Sequence, residues 1–75
     1  MSATASETAI AISLNGEGRH VRAGASVALL LEELGLDRRK VAVERNEAIV
    51  PRSTYAETIL AEGDKLEIVH FIGGG

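Results

Sequence analysis

The sequence predicts an α+β domain, with one main helix lying on one face of a mixed four- or five-stranded sheet. Three observations lead there. Ile10, Ile12 and Leu14 alternate with Ala11 and Ser13, the period-two pattern of a strand with one buried face. Val27, Leu30, Leu31 and Leu34 fall at i, i+3, i+4 and i+7, a single apolar helical stripe. After that stripe the strand pattern returns, in Val41-Ala42-Val43-Glu44 and again from Lys65 to Phe71.

The elements follow in order. Asn15-Gly16 after the first strand is a strong hairpin signal, because a two-residue hairpin turn needs φ > 0 at both central positions. The return strand runs from about Gly18 to Arg22 with Val21 inward, and Gly24 closes it. Ser26 is placed to N-cap the helix, its hydroxyl accepting from a free first-turn N–H. Gly35 suits the left-handed residue just past the helix, with Leu36 folding back on it. The run Arg38-Arg39-Lys40 reads as a solvated turn near the negative end of the helix dipole. Arg45-Asn46-Glu47 is a turn, with Asn46 tolerating the left-handed region. Ile49-Val50 is a short strand that Pro51 ends, since proline cannot donate to a ladder. Arg52 to Leu60 reads as a short helical turn or two, with Tyr55 capping the core and its hydroxyl in water. Glu62-Gly63-Asp64 is the last turn. The order is therefore β-β-α-β-β-β, with the first and last strands side by side in the centre. Residues 1–7 read as a disordered leader, 8–72 as the domain and 73–75 as a flexible tail.

Composition narrows the function. Seventy-five residues form one domain near the lower size limit for folding alone. With one Phe, one Tyr and no Trp, the core must come from Leu, Ile, Val and Ala. The absence of Cys excludes disulfides, thiolate metal sites and a cysteine nucleophile, and suits a reducing cytoplasm. A net charge of −3 with scattered cations argues against nucleic-acid binding. The longest apolar run, Val27 to Leu31, is too short to cross a bilayer. His20 and His70 stand fifty positions apart without a ligating pattern around them, so a metal site is not expected. No Ser-His-Asp set, phosphate loop or acid pair suggests catalysis by the chain itself.

The second half carries a resemblance. Val41 to Asn46 (VAVERN), Ile49 to Arg52 (IVPR), Glu62 to Asp64 (EGD), Glu67 to Phe71 (EIVHF) and the closing Gly74-Gly75 come in the order and spacing of the thiamine-biosynthesis sulfur carriers, the ThiS family. Each piece alone is weak; their order makes the signal. The departure at Glu47, where many relatives carry another Asn-Gly-like turn, touches turn geometry rather than chemistry. The resemblance implies a ubiquitin-like β-grasp fold and a carrier role. A ThiF-like adenylyltransferase would join the Gly75 carboxylate to AMP from ATP. A desulfurase- or rhodanese-type donor would then convert it to a thiocarboxylate, and a ThiG-like thiazole synthase would take that sulfur. The chain would bind no cofactor of its own; ATP belongs to its partner.

Elementary chemistry suits that role. A terminal carboxyl with a pKa of about 3.3–3.7 is ionised at neutral pH and nucleophilic. Gly73-Gly74-Gly75 offers no side chain to obstruct entry into another protein's site, and three extended residues project by roughly 10 Å. On the last strand Leu66, Ile68 and His70 face one way, with Leu66 and Ile68 meeting the helix stripe. Glu67, Val69 and Phe71 face the other, since side chains alternate. Val69 and Phe71, with Ile72, are the expected partner contacts beside the tail. Two alternatives remain open at this stage. One is the same carrier chemistry with the client of a molybdopterin-synthase small subunit. The other is a β-grasp interaction module whose end is never activated.

Overall fold

The computed structural model describes residues 9–71; the expected leader, Ile72 and the glycine tail lie outside them. Strand β1 (Ala9–Leu14) pairs antiparallel with β2 (Glu17–Arg22), in register Ile10 with Val21 and Leu14 with Glu17. Both residues of the connecting turn are left-handed, Asn15 at φ 51° and Gly16 at φ 88°. This twist matches that of the flanking strands, so the hairpin closes in two residues.

Helix α1 (Val27–Glu33) follows. Its first three N–H groups lack intrahelical partners, and all three are satisfied. Val27 donates to the Thr58 carbonyl at 2.9 Å and Ala28 to the Tyr55 carbonyl at 2.9 Å. Leu29 donates to the Ser26 hydroxyl at 3.1 Å, as the N-cap reading expects. At the other end Gly35 (φ 73°) donates to Glu32 and Leu36 to Leu31, the paired bonds of a Schellman ending. Those bonds already satisfy the Leu31 and Glu32 carbonyls, and no basic residue stands in the last turn. The dipole role expected of Arg38-Arg39-Lys40 is thereby corrected. These residues form their own 3-10 turn, capped by Asp37, whose carboxylate accepts from the Arg39 N–H at 2.9 Å and pairs with its guanidinium at 3.0 Å.

Strand β3 (Val41–Arg45) and the short β4 (Ala48–Ile49) form a second hairpin, and β5 (Lys65–His70) completes the sheet. The strand order is β2-β1-β5-β3-β4, with only β1 and β5 parallel. The expected central pairing of first and last strands is therefore observed, in a five-stranded mixed sheet. Helix α1 lays Val27, Leu30 and Leu31 on one face, over Ile12, Val21, Val41, Val43, Val50, Leu60 and Leu66. Tyr55 joins that cluster at 2% exposure, so it fills the core rather than capping it from outside. The Arg52 to Leu60 segment coils as expected up to Thr58 and straightens beyond it. Only Arg52–Thr54 is helical, as a 3-10 turn. Turn bonds continue to Thr58, whose N–H donates to the Thr54 carbonyl at 2.9 Å; the Tyr55 and Thr58 carbonyls accept from the start of α1, and the chain is extended only at its end, where Ile59 bridges Ser26 and Leu60 donates to the Ala25 carbonyl at 2.9 Å.

Two asparagines fix the register of β5. Asn15 presents its side-chain amide to Ile68 like a further peptide of β1: Oδ1 accepts from the Ile68 N–H at 2.8 Å, and Nδ2 donates to the Ile68 carbonyl at 3.3 Å. On the other edge Asn46 (φ 53°) takes the Lys65 N–H on its Oδ1 at 2.9 Å and donates its own N–H to the Lys65 carbonyl at 2.7 Å. Asn46 also donates from Nδ2 to Asp64 at 3.1 Å. Asp64, 5% exposed, further accepts from Arg45 Nε at 2.9 Å and from the Ala61 N–H at 2.8 Å, while its carbonyl accepts from Ser13. One residue thus joins β1, through its carbonyl, to the β3–β4 turn and the turn before β5, through its carboxylate. Burial acts to raise the Asp64 carboxyl, but the donated bonds from Ala61, Asn46 and Arg45 hold it below its ordinary value.

Two stability predictions follow from this network. Asn15→Gly keeps the left-handed turn at no steric cost yet removes the bridge to Ile68, so denaturant melts show a loss of about 0.5–1.5 kcal/mol. A turn-only role for Asn15 gives no loss. For Asp64, a lowered folded pKa means a stabilising contribution present above the unfolded value near 3.9 and lost as pH falls through the folded value. Asp64→Asn accordingly costs about 1–3 kcal/mol at neutral pH, and its gap to wild type narrows in melts below about pH 4.

Candidate functional site

The face of the sheet away from α1 carries the expected contact residues. Cross-strand partners share a face, so the β3–β5 register places Val69 beside Ala42 and Glu67 beside Glu44. Glu44 in turn pairs with Ile49 of β4. Val69 is 61% exposed, Phe71 53% and Ile49 75%. On the opposite face Leu66 is fully buried and Ile68 half-buried, while His70 is exposed at the rim. The alternation read from the sequence is thus the one observed, and Val69 and Phe71 stand together on the open side. Ile72, Gly73, Gly74 and Gly75 lie outside the described residues.

The direction of the chain at Phe71 is fixed from the β3 side. Pairing of β1 to β5 covers only Ser13 with Lys65 and Leu14 with Leu66. Beyond it the Asn15 side chain holds Ile68, and β3 alone accompanies the strand to its end. The Phe71 N–H donates to the Lys40 carbonyl at 2.9 Å, tying the last described residue to the start of β3. Cations gather near that exit. Arg52 Nε donates to the Arg38 carbonyl at 3.1 Å, joining the turn that follows Pro51 to the turn before β3. Asp37 there is lowered to about 2, first by the hydrogen bond from the Arg39 side chain and then by its N–H.

Among the described residues, no three His, Asp or Glu side chains come together as a metal site. No described helix is long and apolar enough to cross a membrane. Sequence reasoning missed the Asp64 hub and the second use of Asn15 and Asn46. The available signal was an Asn in each hairpin turn and an Asp directly before the last strand.

Comparison with known proteins identifies the architecture. The model of the ThiS family matches residues 9–75, which includes the three glycines. The chain belongs to the ThiS family. A thiazole synthase of Paramagnetospirillum magneticum is 61% identical over 62 residues, 83% of this chain and 19% of that protein. The sulfur carrier protein ThiS of Escherichia coli is 34% identical over 64 residues, 85% of this chain and 97% of that one. The crystal structure of a thiamine biosynthesis protein (ThiS) from Geobacter metallireducens superposes with a TM-score of 0.75 at 29% identity, covering 88% of this chain and 100% of the other. The chain spans about a fifth of the length of the thiazole synthases of Paramagnetospirillum magneticum and Magnetococcus marinus. The ThiS fold is thus the ubiquitin-like β-grasp arrangement expected from the sequence, with β5 central and the family span running to Gly75.

A Phe71 that contacts a partner and one that only packs predict different outcomes. Phe71→Ala leaves thermal stability within about 0.5 kcal/mol of wild type, because an exposed side chain has little packing to lose. A role as a partner contact expects the same variant to raise KM for this chain in a steady-state assay with an adenylating enzyme. An unchanged KM and rate removes Phe71 from the contact surface.

Proposed function

We propose that this ThiS-family chain is the sulfur carrier for formation of the thiazole of thiamine, a protein co-substrate rather than an enzyme. The observation that carries the reading is the family match that runs through Gly73-Gly74-Gly75. In this reading a carboxylate oxygen of Gly75 attacks the α-phosphorus of ATP in a ThiF-like adenylyltransferase, and pyrophosphate leaves. The terminal sulfur of a persulfide on a desulfurase- or rhodanese-type donor then attacks the acyl carbon and AMP leaves; a thiol cleaves the resulting acyl disulfide, leaving the thiocarboxylate and a new disulfide on the donor side. Adenylation supplies the leaving group that a bare carboxylate lacks.

The geometry supports each requirement on the carrier. The chain needs a rigid body, because ordering three glycines in a partner's site costs backbone entropy that contacts from the body must offset. Strand β5 supplies it, delivering Phe71 at the end of a strand held by β3 and by Asn15. Val69 and Phe71 supply exposed apolar area next to the exit, the type of surface that marks interaction sites. The glycines bring no side chain into a narrow adenylation site. The client is read from a second observation. The 61% identity is to a protein named thiazole synthase, which favours a ThiG-like acceptor over a molybdopterin synthase.

Intact mass spectrometry tests the proposal. After incubation with ATP, a sulfide source and the cognate adenylating enzyme, the chain gains the mass of one oxygen replaced by sulfur. Deletion of Gly75 abolishes the gain. The thiocarboxylate then loses its sulfur on mixing with thiazole synthase and its substrates, and keeps it with the molybdopterin synthase large subunit. No adduct with any adenylating enzyme overturns the carrier reading, and transfer to the molybdopterin protein overturns the client.

A further inference from the structure

The turn that joins β1 to β2 sets a nucleophile next to an electrophile. Asn15 carries a primary amide on Cγ, and the following backbone nitrogen, that of Gly16, is one bond short of closing a five-membered ring with it. Both residues are exposed. Among the described residues the Gly16 N–H has no acceptor. The space around Gly16 is open, with no atom beyond its chain neighbours within 4 Å of where a Cβ would stand. No side chain therefore crowds the nitrogen as it closes on Cγ. The amide is also polarised. Its Oδ1 accepts from the Ile68 N–H at 2.8 Å, and a fixed donor at that oxygen stabilises the negative charge that attack on Cγ places there. The Nδ2 that must leave is held more loosely, at 3.3 Å from the Ile68 carbonyl. The chain's other asparagine supplies the contrast. Asn46 is exposed too and sits in the turn of the β3–β4 hairpin, but the nitrogen after it belongs to Glu47, whose side chain crowds the attack. Its Nδ2 is held at 3.1 Å by the buried Asp64 carboxylate.

We propose that Asn15 is a site of spontaneous covalent modification, a deamidation in which the Gly16 nitrogen is the nucleophile, and that the modification unfastens β5 from the first hairpin. The Gly16 N–H gives its proton to a solvent base, and the nitrogen bonds to Asn15 Cγ. The Cγ–Nδ2 bond breaks, and Nδ2 takes a proton from water and leaves as ammonia. Water then adds to one of the two carbonyl carbons of the cyclic imide that remains. Cleavage of the Cγ–N bond gives aspartate. Cleavage of the backbone C–N bond gives isoaspartate, with the chain rerouted through Cγ. The sum is amide plus water to carboxylate plus ammonium, with no oxidant or reductant. Either product undoes the bridge. Aspartate has no N–H for the Ile68 carbonyl and sets a charged oxygen against it. Isoaspartate adds a carbon to a turn that closes in only two residues. Because β1 pairs with β5 only as far as Leu66, no strand on that side takes over the hold on Ile68. The inference concerns the chain's own chemistry and stands apart from the carrier reading.

The test uses the full chain, aged in buffers of rising, mildly alkaline pH. Peptide mass mapping follows conversion of amide to carboxyl at Asn15 and at Asn46 separately. Ion exchange, which resolves the added negative charge, isolates the modified chain. The proposal expects Asn15 to convert roughly ten-fold faster than Asn46 or more, at a rate that climbs with pH because the Gly16 nitrogen must lose its proton. In the isolated isoaspartyl chain the Ile68 amide exchanges roughly two- to ten-fold faster than in the unmodified chain, the factor that loss of one hydrogen bond gives. Conversion at Asn15 no faster than at Asn46, or at a rate indifferent to pH, overturns the proposal. Ile68 exchange and a melting temperature unchanged in the modified chain overturn the link to β5.

Discussion

The structure depends on the placement of β5 in the middle of the sheet, at one register and no other. Leu66 is fully buried between α1 and the neighbouring strands. Because strand side chains alternate, a slip of one residue would expel Leu66 and turn Glu67 and Val69 into the core. The cost of burying a carboxylate there makes the register steeply defined. Everything that concerns function follows from that one setting: which side Val69 and Phe71 face, and where the chain leaves the body.

Backbone and side chains enforce the setting together. Asn15 and Asn46 each occupy a left-handed turn position that most residues disfavour, and each reaches from that position to the backbone of β5. The hairpins therefore do more than reverse the chain. They bracket the central strand, one at Ile68 and one at Lys65, while Asp64 fastens the turn that feeds it. A chain this short has little core to spare, and local polar locks of this type specify the arrangement where apolar burial alone would be thin. The segment from Arg52 to Leu60 serves the same end, closing the start of α1 with its carbonyls and adding Tyr55 and Leu60 to the core.

Much of this was legible in the residues. Period-two alternation gave β1, β3 and β5, the i, i+3, i+4 stripe gave α1, and Ser26 and Gly35 gave its two ends, because each of these signals is local. The exposure of Val69 and Phe71 was also readable, since alternation carries it once Leu66 is assigned to the core. What escaped depends on distance along the chain. Tyr55 is buried because the Arg52 to Leu60 stretch is held against the start of α1 by the Tyr55 and Thr58 carbonyls, and no local pattern announces that. Asp64 reads as a turn residue until Arg45 and Asn46, eighteen and more positions earlier, are brought to it. The opposition of Glu44 and Glu67 exists only once β3 and β5 are paired.

Under the proposed function the open face, not the helix face, receives the protein partners of this chain. Amide chemical-shift mapping of the labelled chain against the unlabelled adenylating enzyme tests it most directly, because both faces are read in one experiment. The account predicts that perturbations concentrate at Ala42, Glu44, Glu67, Val69 and Phe71. Perturbations centred instead on Leu29, Glu32 and Ile59, beside α1, would contradict it.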